Sequence, residues 1–215
     1  MSLIVNDLTT KKFIYQGNRL VEAHFEQHRP EYADAVYPIH YYDSMVEIEK
    51  PNNFLVQAYL ENGLLVKKIQ GRFYDTDPPF AIWLNEEHYH YNDRGELSKI
   101  ISTYTDNTDS ISWELSYDFH WEDGNISLVW SNGRVMEFTY DDQKNPFRGD
   151  IPLVLASEWS IPWAYFNANN VIHSRDWYGF EKSYIYNFSN SVFPTSVTEI
   201  DNDITLVTGI GYTCE

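Results

Sequence analysis

A short phrase recurs along this chain of 215 residues: an aromatic pair, a polar turn containing glycine, and a branched apolar run. One copy starts at Tyr89 and Tyr91 and passes through Gly95 to Leu97 and Ile100. Aromatic residues two positions apart face the same side of a strand, and glycine in a short polar turn lets the chain reverse. Each copy therefore predicts a β-hairpin. Other copies have their turn glycine at Gly17, Gly63 and Gly124, and looser versions start at Phe138 and Tyr184.

Alternation of apolar and polar residues extends this prediction to most of the chain. The separators are rich in Gly, Asn, Asp and Pro, which favour turns, and strands joined by short turns are antiparallel neighbours. The sequence thus predicts a mainly β fold, an antiparallel meander of successive β-hairpins that forms a single curled sheet or an open barrel or sandwich. The predicted strands cover 11–26 as a hairpin, then 40–42, 54–60, 64–74, 82–91, 97–104, 112–121, 126–130, 135–140, 184–188, 196–200 and 205–212.

The organisation indicates one β-rich domain over 1–215, since no segment has the composition of a linker. The hairpin repeats are clearest at 54–140, and the closing strands lie at 184–212. Between them, residues 145–176 break the pattern and predict one irregular or short helical insertion, in which Pro162 limits any helix. Because loops carry function more often than scaffold strands, we expect a functional site between Asn145 and Asp176.

Charge and aromatic content narrow the possible partners. The chain has 32 acidic and 15 basic residues, a formal charge of −17, which would repel a phosphate backbone and an anionic membrane surface. Nucleic-acid binding is therefore disfavoured. Aromatic residues make up 17% of the chain; they favour strands and supply enough apolar surface to argue against disorder.

The single cysteine and the N-terminal residues bear on the compartment. Cys214 has no partner for an internal disulfide, and nothing around it suggests catalysis. No apolar stretch approaches the roughly 18 residues of a transmembrane helix. The sequence Met1-Ser2-Leu3 is typical of an added start, so we expect that a signal peptide was removed upstream of Ile4.

Several stretches in a fixed order resemble a known group of proteins. They are residues 89–100, 138–147, 169–171, 193–195 and 212–215, within a region that begins at about residue 54. In this order they resemble uncharacterised envelope lipoproteins of Bacteroidetes-type bacteria, whose repeats look like the YD repeats of RHS proteins. The resemblance implies export to the cell envelope, as an outer-membrane or cell-surface protein, and a lipid anchor on an N-terminal cysteine outside this sequence. It also implies a fold of successive hairpins and no known enzymatic activity.

Histidines on one predicted strand raise the question of a metal site. His88 and His90 share a strand face with Glu86, and a His-x-His pair on a strand can bind Zn²⁺. Further ligands could come from His120, with Asp118 and Glu122 on its own face. The alternative is that all of these side chains face water opposite an aromatic inner face, and period-2 alternation favours it. We therefore predict no metal and no cofactor.

Carboxylates near tryptophans suggest glycan chemistry. Glycosidases need two carboxyl groups roughly 5–10 Å apart near stacking surfaces. Acidic residues are so common in this chain that core tryptophans and surface carboxylates explain the pattern more simply. The group comprises Glu114, Asp118, Glu122, Trp113, Trp121 and Trp130.

Aromatic residues also cluster in the insertion, at Trp159, Trp163, Tyr165 and Phe166. Exposed, they could form a ligand platform. The favoured interpretation is that the segment folds over an open end of the sheet and plugs its core. The chain lacks the Gly-x-Ser-x-Gly, P-loop, His-Glu-x-x-His and dinucleotide-binding motifs, so we predict no catalytic residues.

Three functional hypotheses follow from the sequence. The first is a non-enzymatic, extracytoplasmic binding or structural protein, a surface lipoprotein with an unknown protein or glycan ligand, which touches the membrane only through its lipid anchor. The second is a carbohydrate-binding or glycan-active protein. The third is an acidic cytoplasmic inhibitor of the immunity type, because strong acidity suits a basic toxin.

Overall fold

The structure, a computed structural model, describes residues 2–5, 9–16, 19–27, 34–74, 80–109, 111–145, 148–149, 166–188, 194–201 and 204–212. Sixteen strands form one sheet in these residues, and each strand is antiparallel to the strands next to it in the chain. β1 also pairs with β16, with Ser2 opposite Tyr212, so the sheet closes into a barrel. The predicted meander of hairpins is confirmed. Its closure, which the sequence left open, comes from this last pairing.

The first eight strands are β1 Ser2–Val5, β2 Thr9–Gln16, β3 Arg19–Gln27, β4 Ala35–Tyr41, β5 Met45–Lys50, β6 Phe54–Glu61, β7 Leu64–Tyr74 and β8 Phe80–Tyr91. The second eight are β9 Leu97–Asp106, β10 Ile111–Glu122, β11 Asn125–Ser131, β12 Arg134–Lys144, β13 Asn169–Arg175, β14 Glu181–Asn187, β15 Ser196–Asp201 and β16 Ile204–Tyr212. Within the described ranges, the chain contains no helix with the length and apolarity needed to cross a membrane.

The turns explain why the recurring phrase makes hairpins. Asn62 and Gly63 join β6 to β7 with φ angles of 51° and 79°. Asp123 and Gly124 join β10 to β11 with φ angles of 48° and 78°. Two consecutive residues with positive φ make a type I′ turn, whose twist matches that of the flanking strands. Asparagine, aspartate and glycine tolerate this conformation best, so the phrase places them there.

A β-bulge follows four of the turns at the same position. In each hairpin, the first apolar residue after the turn pairs with the last apolar residue before it, and the register shifts by one residue next to this pair. The residues after the turns are Leu20, Leu65, Leu97 and Ile126. A bulge adds one residue to one strand and increases its local twist. All four apolar residues are fully or almost fully buried. The phrase therefore encodes a bulge as well as a turn.

Aromatic side chains link each hairpin to the one before it. The Tyr91 hydroxyl donates to the Leu65 carbonyl at 2.7 Å, and Trp121 Nε1 donates to the Leu97 carbonyl at 2.7 Å. The Tyr140 hydroxyl donates to the Ile126 carbonyl at 2.6 Å. Each acceptor is the carbonyl of the buried residue that precedes a bulge. The aromatic residues of the phrase therefore satisfy backbone groups as well as filling the core.

Replacing Tyr140 with phenylalanine should lower the free energy of unfolding by about 1–3 kcal/mol, because the Ile126 carbonyl would lose its partner in a buried setting. Urea unfolding followed by tryptophan fluorescence measures this change. Tyr178→Phe is the control, because that ring is 72% exposed. Equal effects of the two substitutions would show that the Tyr140 hydroxyl contributes nothing specific.

The two faces of the barrel wall differ in character. The inner face carries one contiguous core from β2 to β15, with Phe13, Ile48, Leu65, Leu97 and Val129 almost fully buried. The outer face carries charged side chains on many strands, paired as Lys12 with Glu26, Lys67 with Glu86, and Lys99 with Asp118. The main apolar core of the described strands therefore faces inward, and these ion pairs face outward.

Two parts of the chain are more regular than the sequence indicates. Residues 27–53, predicted to hold only a short strand at 40–42, contain the full hairpin of β4 and β5. The predicted irregular insertion over 145–176 is narrower, because Asn169–Arg175 forms β13 between β12 and β14. β13 carries buried Asn170, which donates from Nδ2 to Asp141 Oδ2 at 3.1 Å. Asp141 lies on the paired strand β12 but 29 residues away in the sequence, so local sequence gives no sign of this contact.

Candidate functional site

The histidines of β8 lie on the outer face, as period-2 alternation predicts. His88 Nε2 lies 2.6 Å from Glu86 Oε1, and Lys67 Nζ lies 2.9 Å from the same oxygen. His90 is exposed, and His120 lies on the outer face of β10 with its ring 6.3 Å from the Trp130 ring. In the part of the chain that the structure describes, no three histidine, cysteine or acidic side chains are grouped closely enough to hold a metal ion.

Glu86 makes the stability of the barrel dependent on pH. Partial burial by itself raises the pKa of Glu86, but hydrogen bonds and positive charge from Lys67 and His88 outweigh it, so the pKa falls below 4.5. A carboxylate whose pKa is lowered by folding adds stability above its unfolded pKa, and that contribution is lost as the pH falls through the folded pKa. We expect Glu86→Gln to reduce the loss of stability below pH 4.5, measured by urea unfolding. An unchanged pH profile would contradict this assignment.

The wall of β10 separates two of the three tryptophans from the carboxylates that suggested a glycosidase. Glu114, Asp118 and Glu122 project outward, whereas Trp113 and Trp121 project inward. Trp130 is also outward, opposite Asp118. Two carboxylates that flank one sugar must share a surface with the stacking rings. Trp113 and Trp121 therefore lie on the opposite face from all three carboxylates, and of the three tryptophans only Trp130 shares the outer face with them.

Phe166, the one described residue of the aromatic cluster in the insertion, packs into the core. Its ring centroid lies 6.3 Å from that of Tyr89 and 6.4 Å from that of Tyr91. The next residue, buried Asn167, accepts a hydrogen bond through Oδ1 from the Ile126 amide at 2.8 Å. Phe166 and Asn167 therefore contribute packing and a hydrogen bond at one end of the barrel. The plug interpretation concerns the whole segment and stays a prediction. Trp159, Trp163 and Tyr165 lie outside the described residues.

A cavity of about 330 Å³ lies at this end of the barrel, between the turns of three hairpins and Phe166. Arg94 and Arg148 are on its rim, and Tyr91 and Trp121 are in its wall. Both aromatic side chains already donate to backbone carbonyls, and burial raises the pKa of Tyr91 to about 12. The Tyr91 hydroxyl and the Trp121 indole N–H therefore stabilise the contacts between hairpins.

The opposite end of the barrel has a step in its wall. β10 pairs with β9 from Ile111 onward, but its described pairs with β11 begin only at Asp118. The inner face of β10 therefore extends beyond the short hairpin of β11 and β12. Trp113 lies on this extension and is 45% exposed although it faces inward.

A run of aromatic rings in contact crosses the inner wall to this step. The ring centroids of Phe54 and Trp83 are 5.4 Å apart, and those of Trp83 and Tyr104 are 6.1 Å apart. The Tyr104 and Trp113 centroids are 5.1 Å apart, with their planes 21° from parallel. Trp113 ends the run at the extended part of β10. Aromatic pairs at these distances and angles stabilise each other beyond their simple burial.

A second cavity, the step cavity, lies next to this extension and has a volume of about 370 Å³. The Tyr117 and Trp177 ring centroids are 6.2 Å apart in its wall, and the Arg134 guanidinium lies 4.8 Å from the Tyr178 ring centroid. Burial, followed by the negative charge of Glu87, raises the pKa of Tyr117, so its hydroxyl stays protonated. The residues that line the cavity are Leu115, Tyr117, Ser131, Asn132, Arg134, Trp177 and Tyr178.

The step cavity has the parts of a small-molecule site. Such sites combine apolar and aromatic walls with a few polar groups that fix the orientation of the ligand. Three separate segments supply them: β10, the turn between β11 and β12, and the turn between β13 and β14. Nothing in the local sequence indicates that these three segments meet beside Tyr117. The cavity lies just outside the 145–176 region in which we expected a functional site.

Comparisons with known proteins bear on the fold. No protein-family model matches the chain, and no curated protein matches its sequence. The fold is similar to that of a porin-like protein from Bacteroides uniformis, with a TM-score of 0.65, 11% identity, and coverage of 98% of this chain and 95% of that chain. It is also similar to a porin-like protein from Bacteroides vulgatus, with a TM-score of 0.61, 11% identity, and coverage of 99% and 98%.

Proposed function

We propose that this chain is a non-enzymatic binding protein of the bacterial cell envelope that takes a small ligand in the step cavity. The observation that carries the proposal is the cavity itself: aromatic walls and one arginine, open to solvent beside the uncovered end of β10. The likeness to porin-like proteins of Bacteroides supports an envelope role. The sequence resemblance to envelope lipoproteins supports attachment through a lipid anchor on an N-terminal cysteine.

The outer face of the barrel supports attachment by an anchor rather than immersion in lipid. A membrane-spanning barrel presents an outward apolar band about 25 Å tall, and a charged lysine or arginine at its middle costs roughly 2–4 kcal/mol. Here outward ion pairs occur on β7 with β8, on β9 with β10, and on β12 with β13. These pairs are Lys67 with Glu86, Lys99 with Asp118, and Arg175 with Glu137. These pairs support our proposal that this wall meets water.

The lining of the step cavity supports binding rather than catalysis. General acid and base chemistry needs a titratable group within hydrogen-bond reach of the reacting atoms. The described lining has the phenols of Tyr117 and Tyr178 and the guanidinium of Arg134, but no carboxylate and no histidine. Hydrolysis through paired carboxylates therefore has no support in this cavity.

Two measurements test the proposed function. Expression of the complete gene in a Bacteroides host, with fractionation and fatty-acid labelling, should place a labelled protein in the envelope. An unlabelled protein in the cytoplasm would overturn the envelope part of the proposal and favour the immunity-type inhibitor.

A screen of small ligands by tryptophan fluorescence should give hits that Trp177→Ala abolishes and Trp130→Ala does not, because Trp130 lies on the outer face. Ligands that bind Trp177→Ala as well as the wild type would overturn the proposed site.

A further inference from the structure

We infer that the step cavity binds an acidic saccharide, a small sugar that carries a carboxylate such as a uronic acid. This inference rests on the proposed function and adds the chemical class of the ligand. It comes from the charge, the ring surfaces, the polar groups and the size of the cavity.

The charge of the cavity lining is opposite in sign to the net charge of the chain. Acidic residues outnumber basic ones by 32 to 15, yet the one charged side chain in the described lining is the cation Arg134. Its guanidinium lies over the Tyr178 ring, and no carboxylate in the described part of the chain forms an ion pair with it. A guanidinium presents a planar fork of N–H donors that matches a carboxylate in a bidentate geometry. Arg134 is therefore suited to hold one ligand carboxylate.

The ring surfaces of the cavity suit a pyranose. Tyr117 and Trp177 lie 6.2 Å apart, inclined by 39°, and both are only partly buried. Aromatic rings of this kind present an apolar face to a ligand while their polar ends reach water or a hydrogen-bond partner. The C–H face of a sugar ring is apolar, so it can pack on either ring.

The polar groups and the size point the same way. Ser131 offers a hydroxyl that both donates and accepts, and Asn132 offers an amide with two donors and an acceptor. These groups match the hydroxyls of a sugar. The volume of about 370 Å³ is at the small end of the roughly 300–1,000 Å³ found for ligand pockets. The cavity therefore fits one or two sugar rings rather than a long chain.

Titration calorimetry with two matched disaccharides tests this inference. Digalacturonate should bind the wild-type chain, and the neutral digalactose of the same linkage should bind at least tenfold more weakly. Arg134→Gln should weaken digalacturonate binding at least tenfold and leave digalactose unchanged. Raising the salt concentration should weaken digalacturonate binding only, because the arginine and carboxylate attract each other electrostatically.

Matched variants separate the site from its surroundings. Arg94→Gln removes an arginine at the opposite end of the barrel, and Trp130→Ala removes an outward tryptophan, so both should bind digalacturonate as the wild type does. Trp177→Ala should lose binding of both sugars. Circular dichroism and urea unfolding show whether each variant is folded, and Arg134→Gln keeps the test valid if Trp177→Ala does not fold.

Three results would overturn the inference, and they differ in whether the proposed function survives. Equal binding of the two sugars, with no effect of Arg134→Gln, would remove the acidic class but keep a saccharide site in the cavity. Failure of both sugars to bind would remove the saccharide class, while a Trp177-dependent hit in the ligand screen would still support the proposed function. Binding lost in Arg94→Gln but kept in Arg134→Gln would move the site to the other end of the barrel and overturn both.

Discussion

Replacing Lys68 with methionine should lower the free energy of unfolding by about 3–5 kcal/mol. Lys68 Nζ lies 2.8 Å from Glu87 Oε1 on the inner face of the wall, and the two side chains are only 14% and 16% exposed. Asn85 Nδ2 donates to the same oxygen at 3.0 Å, and the Tyr89 hydroxyl donates to the other. Without the lysine, Glu87 would stay inside the barrel as a carboxylate without its cation.

The neighbouring residues supply a matched control for this prediction. Lys67 pairs with Glu86 at 2.9 Å on the outer face, where the side chains are 32% and 29% exposed. Because such pairs are screened by water, Lys67→Met should cost no more than about 1 kcal/mol. Urea unfolding of both variants measures the difference. Similar losses in the two variants would show that the inner pair is as solvated as the outer one.

Replacing Leu65 with alanine should lower the free energy of unfolding by about 2–5 kcal/mol, the usual range for a buried leucine that leaves a cavity behind. Leu65 is 0% exposed and lies opposite Leu60, just before the bulge of its hairpin. Its carbonyl accepts the hydrogen bond of the Tyr91 hydroxyl, so a shift of the backbone at this point would also disturb the next hairpin.

The adjacent leucine tests whether burial is the cause. Leu64 is 39% exposed at the end of the same turn, so Leu64→Ala should change the free energy of unfolding by no more than about 0.5 kcal/mol. Chemical denaturation with a second probe, far-UV circular dichroism, checks that both variants unfold in one transition. A large loss in Leu64→Ala would mean that the turn, rather than the core, limits stability.

Local residue patterns were enough to predict the hairpins of the central region. The predicted strands at 54–60, 64–74 and 112–121 agree with β6, β7 and β10 to within two residues at each end. The turn glycines Gly63, Gly95 and Gly124 all adopt positive φ. These features depend on alternation and turn chemistry, and both act over a few neighbouring residues.

Features that depend on distant partners could not be predicted in this way. Pro38 lies inside β4, where the lack of an N–H donor argues against a strand, and only its pairing with β3 and β5 makes the hairpin evident. The sequence does not predict β13, because Asn169 and Asn170 favour a turn. In the structure their side chains hydrogen-bond to Asn125 and Asp141 on other strands. The step cavity likewise joins three segments that the local patterns treat independently.

The pairing of β1 with β16 has a consequence for how the protein is made. Every other pairing joins strands that are consecutive in the chain, so the meander can form by successive local steps. The β1–β16 pairing joins residues about as far apart as the chain allows, and the entropy of closing that loop makes it the slowest contact to gain. During synthesis the growing sheet therefore has two open edges that can pair with other chains. Only β16, which is synthesised after every other strand of the barrel, can seal them.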